Sequence, residues 1–393
     1  MRIAMMTETF LPDVNGVVTT LCRLLEHLNR RGHEALVFAP EGSPSSYQGA
    51  QIIPLPGAPL PIYRDLKLTP PQLGMTARLR AFRPDVLHLA GTMLLSPAGC
   101  AAAQALRLPL VSVYHTDWPA YAGHYGMGYL RDLAYRYLRL IHSYCALTLC
   151  PSRATKDDLR SHGFRRLRVW GRGVDTALFH PRHRSEAWRS AVGARPDENL
   201  LLYVGRIANE KRLDLLVEAM EGLEHTRLVL VGDGPARPEI ERRLRHLPAH
   251  FTGYLRGADL ATAYASADMF VFPSDTETFG QVIQEAMASG LPVVAARAGG
   301  ALDLVRDGET GVLWQPGDAR ALRSSIAQLA HSQPMRAAMG AAGRAAAEQR
   351  SWERVMDEMV GYYERAQRHR VRYARLLGVA GSRGPLAQRG ASL

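Results

Sequence analysis

The sequence predicts an α/β fold in two domains, each a parallel sheet covered by helices. Two observations carry that prediction. Short apolar segments alternate with longer helical patterns along the chain, and the series halts at a polar stretch near the middle and then restarts. Length agrees, because 393 residues exceed the roughly 100 to 200 that one ordinary domain holds.

In the first series the strand candidates are Arg2 to Met6, Ala35 to Ala39, Val86 to Leu89, Leu108 to Val113, Ala146 to Leu149 and Arg168 to Trp170. Helical patterns lie between them. Over Val17 to Arg31, Leu21, Leu24, Leu25 and Leu28 recur at spacings of three and four, which puts them on one helical face. Polar residues and two prolines then interrupt the pattern over His180 to Asn199, so a linker is expected near 180–197. The second series runs LLLYVG, RLVLVG, HFTG, DMFVFPS, PVVAA and GVLW. After Trp314 the pattern is purely helical, and residues 379–393 have the composition of a disordered tail. The expected domains are 1–180 and 197–350.

Hydrophobic residues make up 47% and charged residues 22%, the balance of a globular protein with a large core. No apolar run approaches the roughly 18 to 20 residues that span a bilayer, and MRIAMMTETF lacks a signal-peptide pattern. Cys22, Cys100, Cys145 and Cys150 form no CxxC pair and no metal-spaced cluster. A reduced, cytoplasmic setting is expected. The net charge of +11 permits anionic partners, yet only Lys67, Lys156 and Lys211 among 48 basic residues are lysine, and the arginines are scattered. Nucleic-acid binding predicts basic and aromatic residues interleaved on one surface; here the unusual residues gather at strand ends, so nucleic acid is not expected.

In an open parallel sheet, ligands collect at the carboxyl ends of the strands. LLYVGRIANEKRLD places Gly205 and Arg206 directly after a strand and Lys211 near the next helix start, two cations able to neutralise a diphosphate. A lysine is notable in a chain so poor in them. LVLVGDGP puts Gly232, Asp233 and Gly234 after another strand, but Pro235-Ala236-Arg237 breaks the dinucleotide GxGxxG pattern. The turn either lets the backbone approach a nucleotide base or holds no ligand. FPSDTETFGQVIQEAMASGLPVVA places Glu277 in a loop before a helix expected from Phe279 onward, with Thr278 and Gly280 beside it. Glu285 lies in that helix, about 12 Å further along at 1.5 Å per residue if the loop were helical too. Two carboxylates spaced along one sugar nucleotide, one near the hexose and one near the ribose, explain both.

In the first half, Asn15-Gly16 falls at a strand-to-helix turn, where glycine either relieves crowding or brings amides to a phosphate. His115 follows a strand and precedes Asp117, Tyr121 and Tyr125, an aromatic loop that either forms an acceptor pocket or covers the sheet edge. Arg172 lies near the interdomain hinge, where a structural role and a substrate contact are compatible. A basic stretch, Arg64, Lys67, Arg78, Arg80 and Arg83, is a candidate for contact with an anionic membrane or a plain solvated face.

Taken together, NGVV, GRIANEK, VGDGP and ETFGQVIQEAMASGLPVVA resemble the retaining glycosyltransferases of the GT-B class, family 4, over nearly the whole chain. FLPDVNGVVTTL, YHTDWPAYAGHYG, PSRATKDDL, VWGRGVDTALFHP and SDTETFGQV are most similar to bacterial GDP-mannose-dependent mannosyltransferases acting on glycolipids and to sulfolipid synthases. The resemblance implies two Rossmann-like domains facing a central cleft and a last helix, about 352–375, crossing back to the first domain. It also implies that Arg206 and Lys211 bind the donor diphosphate, Glu277 the transferred sugar and Glu285 the ribose, while Gly16 and His115 meet the reacting centre. GDP-mannose or a UDP-hexose is the implied donor and a glycolipid or other glycan the acceptor, with configuration retained and no metal ion. A nucleotide-sugar epimerase on the same fold is the alternative. Thr278 stands where many relatives have a smaller residue, which bears on the shape of the sugar pocket.

Overall fold

A computed structural model describes residues 1–13, 15–60, 63–91, 94–115 and 131–376. The chain opens with β1 (Arg2–Met6), β2 (Glu34–Pro40), β3 (Ser46–Tyr47) and β4 (Ala50–Leu55). A separate antiparallel pair follows, β5 (Ala58–Leu60) with β6 (Tyr63–Leu68). Then come β7 (Val86–Leu89), β8 (Leu110–Val113), β9 (Leu147–Cys150) and β10 (Leu167–Val169). Eight of these strands form one sheet in the order β10-β9-β8-β7-β1-β2-β4-β3, with only the β3–β4 pair antiparallel. The second half supplies β11 (Asn199–Val204), β12 (Thr226–Val231), β13 (Ala249–Gly253), β14 (Met269–Phe272), β15 (Val293–Ala296) and β16 (Gly311–Trp314). They form a parallel sheet in the order β13-β12-β11-β14-β15-β16.

Both sheets are doubly wound, so strand order reverses once in each, between β1 and β7 and between β11 and β14. Such reversals open a crevice at the strands' carboxyl ends. Burial on both faces follows from the apolar runs: Ile3 and Met5 pack into one cluster, Ala4 and Met6 into another across the sheet. The second sheet is likewise enclosed in one large cluster built on strands such as Leu200–Val204 and Phe270–Phe272.

The helix Gly16–Arg30 begins where Asn15 caps it, its side chain accepting from the amides of Val17 and Val18 at 3.0 Å each. Its leucine face, Leu21, Leu24, Leu25 and Leu28, is buried as the spacing predicts. The long helix Trp352–Leu376 packs on the first sheet through Val355, Met356, Met359, Tyr363 and Ala366, at three- and four-residue intervals. Burying these side chains is worth on the order of 10 kcal/mol before chain entropy is charged against it. Polar contacts fix its register: Trp170 Nε1 donates to the Val355 carbonyl at 3.0 Å, and Tyr363 Oη lies 2.7 Å from His88 Nδ1. Burial pushes His88 down to about 3, so this pair is neutral at ordinary pH.

Two expectations need correction. The stretch 180–197 is not an open linker, because the turn Pro181–His183 and the helix Glu186–Ala191 pack on the second domain. Arg189 is buried there, donating to Asp268 at 2.8 Å, the Ser266 carbonyl at 2.8 Å and the Glu198 carbonyl at 3.0 Å. The chain instead crosses between domains just before it, where Val174 pairs with Ser351 and its amide donates to the Arg350 carbonyl at 3.1 Å. The helix expected from Phe279 begins at Gln281, since Gly280 takes a left-handed conformation (φ 93°) and forms its N-cap.

Candidate active site

The crevice between β11 and β14 gathers most of the sequence's candidate residues. Gly205 and Arg206 leave β11, a turn carries Lys211 back toward the sheet, and the loop after β14 brings Glu277 to meet it. Lys211 Nζ and Glu277 Oε2 are 2.8 Å apart, and the ammonium also lies 5.7 Å from the centre of the Phe272 ring. Burial pushes the Glu277 carboxyl up, but Lys211, the charge of Arg172 and the Phe279 amide together hold it below the usual carboxylate range. Glu277 is therefore an anion at neutral pH, suited to accept hydrogen bonds and not to donate a proton.

Two glycine contacts shape this crevice. Gly232 has φ 129°, and a Cβ there would lie 2.0 Å from the Gly205 carbonyl oxygen, so the turns after β11 and β12 can meet only without a side chain. The Gly300 amide donates to the Glu277 carbonyl at 2.8 Å, and a Cβ on Gly300 would lie 2.2 Å from the Phe279 carbonyl oxygen. The Gly299-Gly300 turn thus clamps the backbone that carries Glu277, Thr278 and Phe279. Sequence reasoning missed it, although a glycine pair just past the strand PVVAA was a visible signal.

Glu285 sits apart from that ion pair on the helix Gln281–Ala288, half-buried, and accepts from Tyr264 Oη at 3.0 Å. Burial pushes its carboxyl up to about 7 despite the tyrosine bond. The two glutamates therefore occupy opposite electrostatic settings. Asp233 is engaged locally, with one carboxylate oxygen 2.7 Å from the Gly234 amide and the other 3.0 Å from Arg237, so its side chain shapes the turn.

The first domain meets this crevice at Gly16, His115 and Arg172. His115 follows β8, and its Nε2 is buried without a hydrogen-bond partner among the described residues. Burial, then the charges of Arg172 and His88, hold the ring well below its ordinary pKa, so it is neutral. The Arg172 guanidinium fills the space beside Gly16, where a Cβ would lie 2.3 Å from Nη1, and it faces the Phe279 ring at 5.9 Å. Gln281 Nε2 donates to the Gly173 carbonyl at 3.0 Å, and Asp303 accepts from the Arg153 amide, so the domains touch at two places. Asp117, Tyr121 and Tyr125 lie outside the described residues. Among the described residues, no group of three or more His, Cys, Asp or Glu side chains could hold a metal ion.

Two doubly wound domains meeting at their strand ends, with the Lys211–Glu277 ion pair at the second reversal, make up the GT-B architecture of glycosyltransferases. Comparison with known proteins agrees: residues 14–178 match the family described as Glycosyltransferase Family 4, and residues 184–346 that described as Glycosyl transferases group 1. A GDP-mannose-dependent alpha-mannosyltransferase of Mycobacterium tuberculosis is 40% identical over 95% of this chain and 99% of its own length. The sulfoquinovosyl transferase of Arabidopsis thaliana is 37% identical over 89% of this chain and 71% of its own. Among solved structures, Anabaena HepE in complex with UDP superposes with a TM-score of 0.76 at 21% identity, covering 93% of this chain and all of that one. The chain belongs to glycosyltransferase family 4.

Proposed function

We propose that this enzyme moves a hexosyl group, mannose foremost, from a nucleotide-sugar to a glycolipid acceptor with retention of configuration. The observation that carries this reading is the Lys211–Glu277 pair at the β11/β14 crevice, with Arg206 following β11 in the chain, in a protein whose relatives are named GDP-mannose-dependent alpha-mannosyltransferases. In this reading Arg206 and Lys211 face the donor diphosphate and offset the charge that builds as it leaves. Glu277 accepts from hydroxyls of the transferred sugar. Gly205, Gly232, Thr278, Phe279 and Gly280 line the donor crevice, Asp233 holds its turn in shape, and Gly16 and neutral His115 approach from the other domain. The acceptor hydroxyl attacks from the face the phosphate leaves, and a leaving phosphate oxygen takes its proton, so no carboxylate nucleophile is required. The electrostatic work falls to the two cations and no metal ion is needed; full activity in excess chelator is the expected result.

A screen of nucleotide-sugars by thermal shift and product release tests this reading. GDP-mannose should stabilise the protein most and release GDP when glycolipid is added, with UDP-hexoses as the alternative donors. Epimerised donor formed without acceptor would replace transfer with isomerisation.

Glu285 is assigned to the ribose hydroxyls, which gives a pH-dependent result. Because its carboxyl is pushed up to about 7, binding a ribose that donates to the ionised form should release a proton near neutrality. GDP affinity should strengthen as pH rises through about 7, and Glu285→Gln should abolish that dependence. Calorimetry in buffers of different ionisation enthalpy reads the proton directly; identical pH profiles in both proteins would remove the ribose assignment.

Contact with an anionic membrane face belongs to the same reading. No helix among the described residues is long and apolar enough to cross a membrane. Arg78, Arg80 and Arg83 are exposed on and just after the helix Met75–Phe82, and fully exposed Leu73 precedes them. Co-sedimentation with phosphatidylglycerol vesicles at low salt is expected, and its absence would end the membrane proposal.

A further inference from the structure

Asp303 of the second domain touches the first domain at a point outside the two chain crossings, which lie near Val174 and Ser351. One of its carboxylate oxygens accepts from the backbone amide of Arg153, and the other lies 3.9 Å from Arg153 Nε. The aspartate side chain is 18% exposed and the arginine side chain 83%, so the acid is held in the contact while the guanidinium stays in water. Arg153 opens the nine-residue helix Arg153–Ser161, whose buried N-cap Ser152 accepts from the Thr155 amide at 3.1 Å. The serine thus serves one amide of the first turn, and a carboxylate from the other domain serves another, where the helix dipole favours negative charge. That helix leaves the carboxyl end of β9, beside β8 and the His115 that follows it.

Asp303 is tied just as closely to the loop that carries Glu277. It is the third residue of the short helix Ala301–Leu304, directly after the Gly299-Gly300 turn. The Gly300 amide donates to the Glu277 carbonyl at 2.8 Å, and a Cβ on Gly299 would lie 2.3 Å from that same oxygen. Leu304 closes the other end, its Cδ1 3.4 Å from where a Cβ on Gly280 would sit. Packing this tight transmits displacement, so a shift of Asp303 is passed to the backbone of Glu277. We infer that Asp303 is a positioning residue: its carboxylate, seated on the Arg153 amide, sets the Glu277 loop against the first domain, and the loop loosens when the domains part. This inference rests on the reading that Glu277 meets the transferred sugar, and it adds what holds that carboxylate in register.

Two substitutions at one position isolate the amide. Proline suits the first position of a helix and lacks the N–H, and Ser152 already has the extended backbone (φ −142°, ψ 166°) that a following proline requires. Arg153→Pro therefore removes side chain and donor together, whereas Arg153→Ala removes the side chain alone. In hydrogen exchange on the full chain, with and without GDP, the Gly300 amide should exchange on the order of tenfold faster in Arg153→Pro and in Asp303→Ala, and at the wild-type rate in Arg153→Ala. With GDP-mannose and monoglucosyl diacylglycerol in mixed micelles, kcat should fall on the order of tenfold in the same two variants while GDP affinity holds, which also shows that they are folded. Asp303→Asn, which still accepts, should recover part of the loss, and Arg153→Pro combined with Asp303→Ala should lose no more than either alone. Unchanged exchange at Gly300 in Arg153→Pro overturns the inference, as does an equal loss in Arg153→Ala. Faster exchange with wild-type kcat also overturns it, by leaving Asp303 a purely structural contact. Failure of the underlying reading looks different: Glu277→Gln would itself keep wild-type kcat.

Discussion

In Lys211→Ala, turnover is expected to fall by about two to three orders of magnitude while the protein remains folded. Lys211 has two tasks in the crevice. In the proposed mechanism it supplies positive charge where the leaving diphosphate gathers negative charge, and through a 2.8 Å contact it holds Glu277 ionised. Removing it subtracts the first and weakens the second, since burial then drives the Glu277 carboxyl upward with only the more distant Arg172 charge and the Phe279 amide opposing it. Loss of a half-buried ion pair should cost about 1 to 3 kcal/mol of stability, well short of unfolding a core of this size. Steady-state kinetics beside a melting curve separates the two effects. A folded Lys211→Ala protein with wild-type kcat would end the assignment of this lysine to the diphosphate. Combined with Glu277→Gln, the losses should be smaller than additive because the side chains act as a unit.

The Gly300→Ala variant should lose about a hundredfold in kcat from a single added methyl group. Gly300 has φ −66°, a backbone alanine accepts easily, so the cost comes from contact alone. The new Cβ would lie 2.2 Å from the Phe279 carbonyl oxygen and 2.5 Å from that residue's Cα, positions no real contact allows. The loop must therefore move, and Glu277 moves with it, away from Lys211. Overpacking of this kind costs about 1 to 3 kcal/mol, so the melting temperature should drop by only a few degrees. A variant that keeps wild-type kcat would show that the loop's seat on Gly300 does not set the position of Glu277.

The strands were legible where an apolar run is bounded by turn residues, as Val86–Leu89 is by Pro84 and Asp85. β4 was not, because Pro54 inside QIIPLP reads as loop, and only the structure shows that β3 covers β4 no further than Gln51, which leaves Pro54 on the sheet's edge. The stretch 180–197 misled for a related reason: Arg189 looks like a surface charge until Asp268, 79 residues away, is brought to it by the fold. In the crevice, Lys211 and Glu277 could be singled out because strand ends are local features and lysine is rare here, and the structure brings the two together. The Gly300 clamp and the space that Gly16 leaves for Arg172 could not, since each is a contact between segments far apart in sequence.

The helix Trp352–Leu376 has a consequence for the order in which the chain matures. Its residues complete the hydrophobic cluster built on β1, β2 and β8, and Trp170, His88 and His27 all find polar partners on it. On the ribosome β1 emerges long before this helix, and that cluster stays open on one flank until the whole second domain between them has been made. The second domain, contiguous from the crossing to residue 350, has its own core available earlier. The half of the enzyme that is synthesised first is therefore the half that finishes folding last, and loss of the final helix would strand it with an uncovered apolar face.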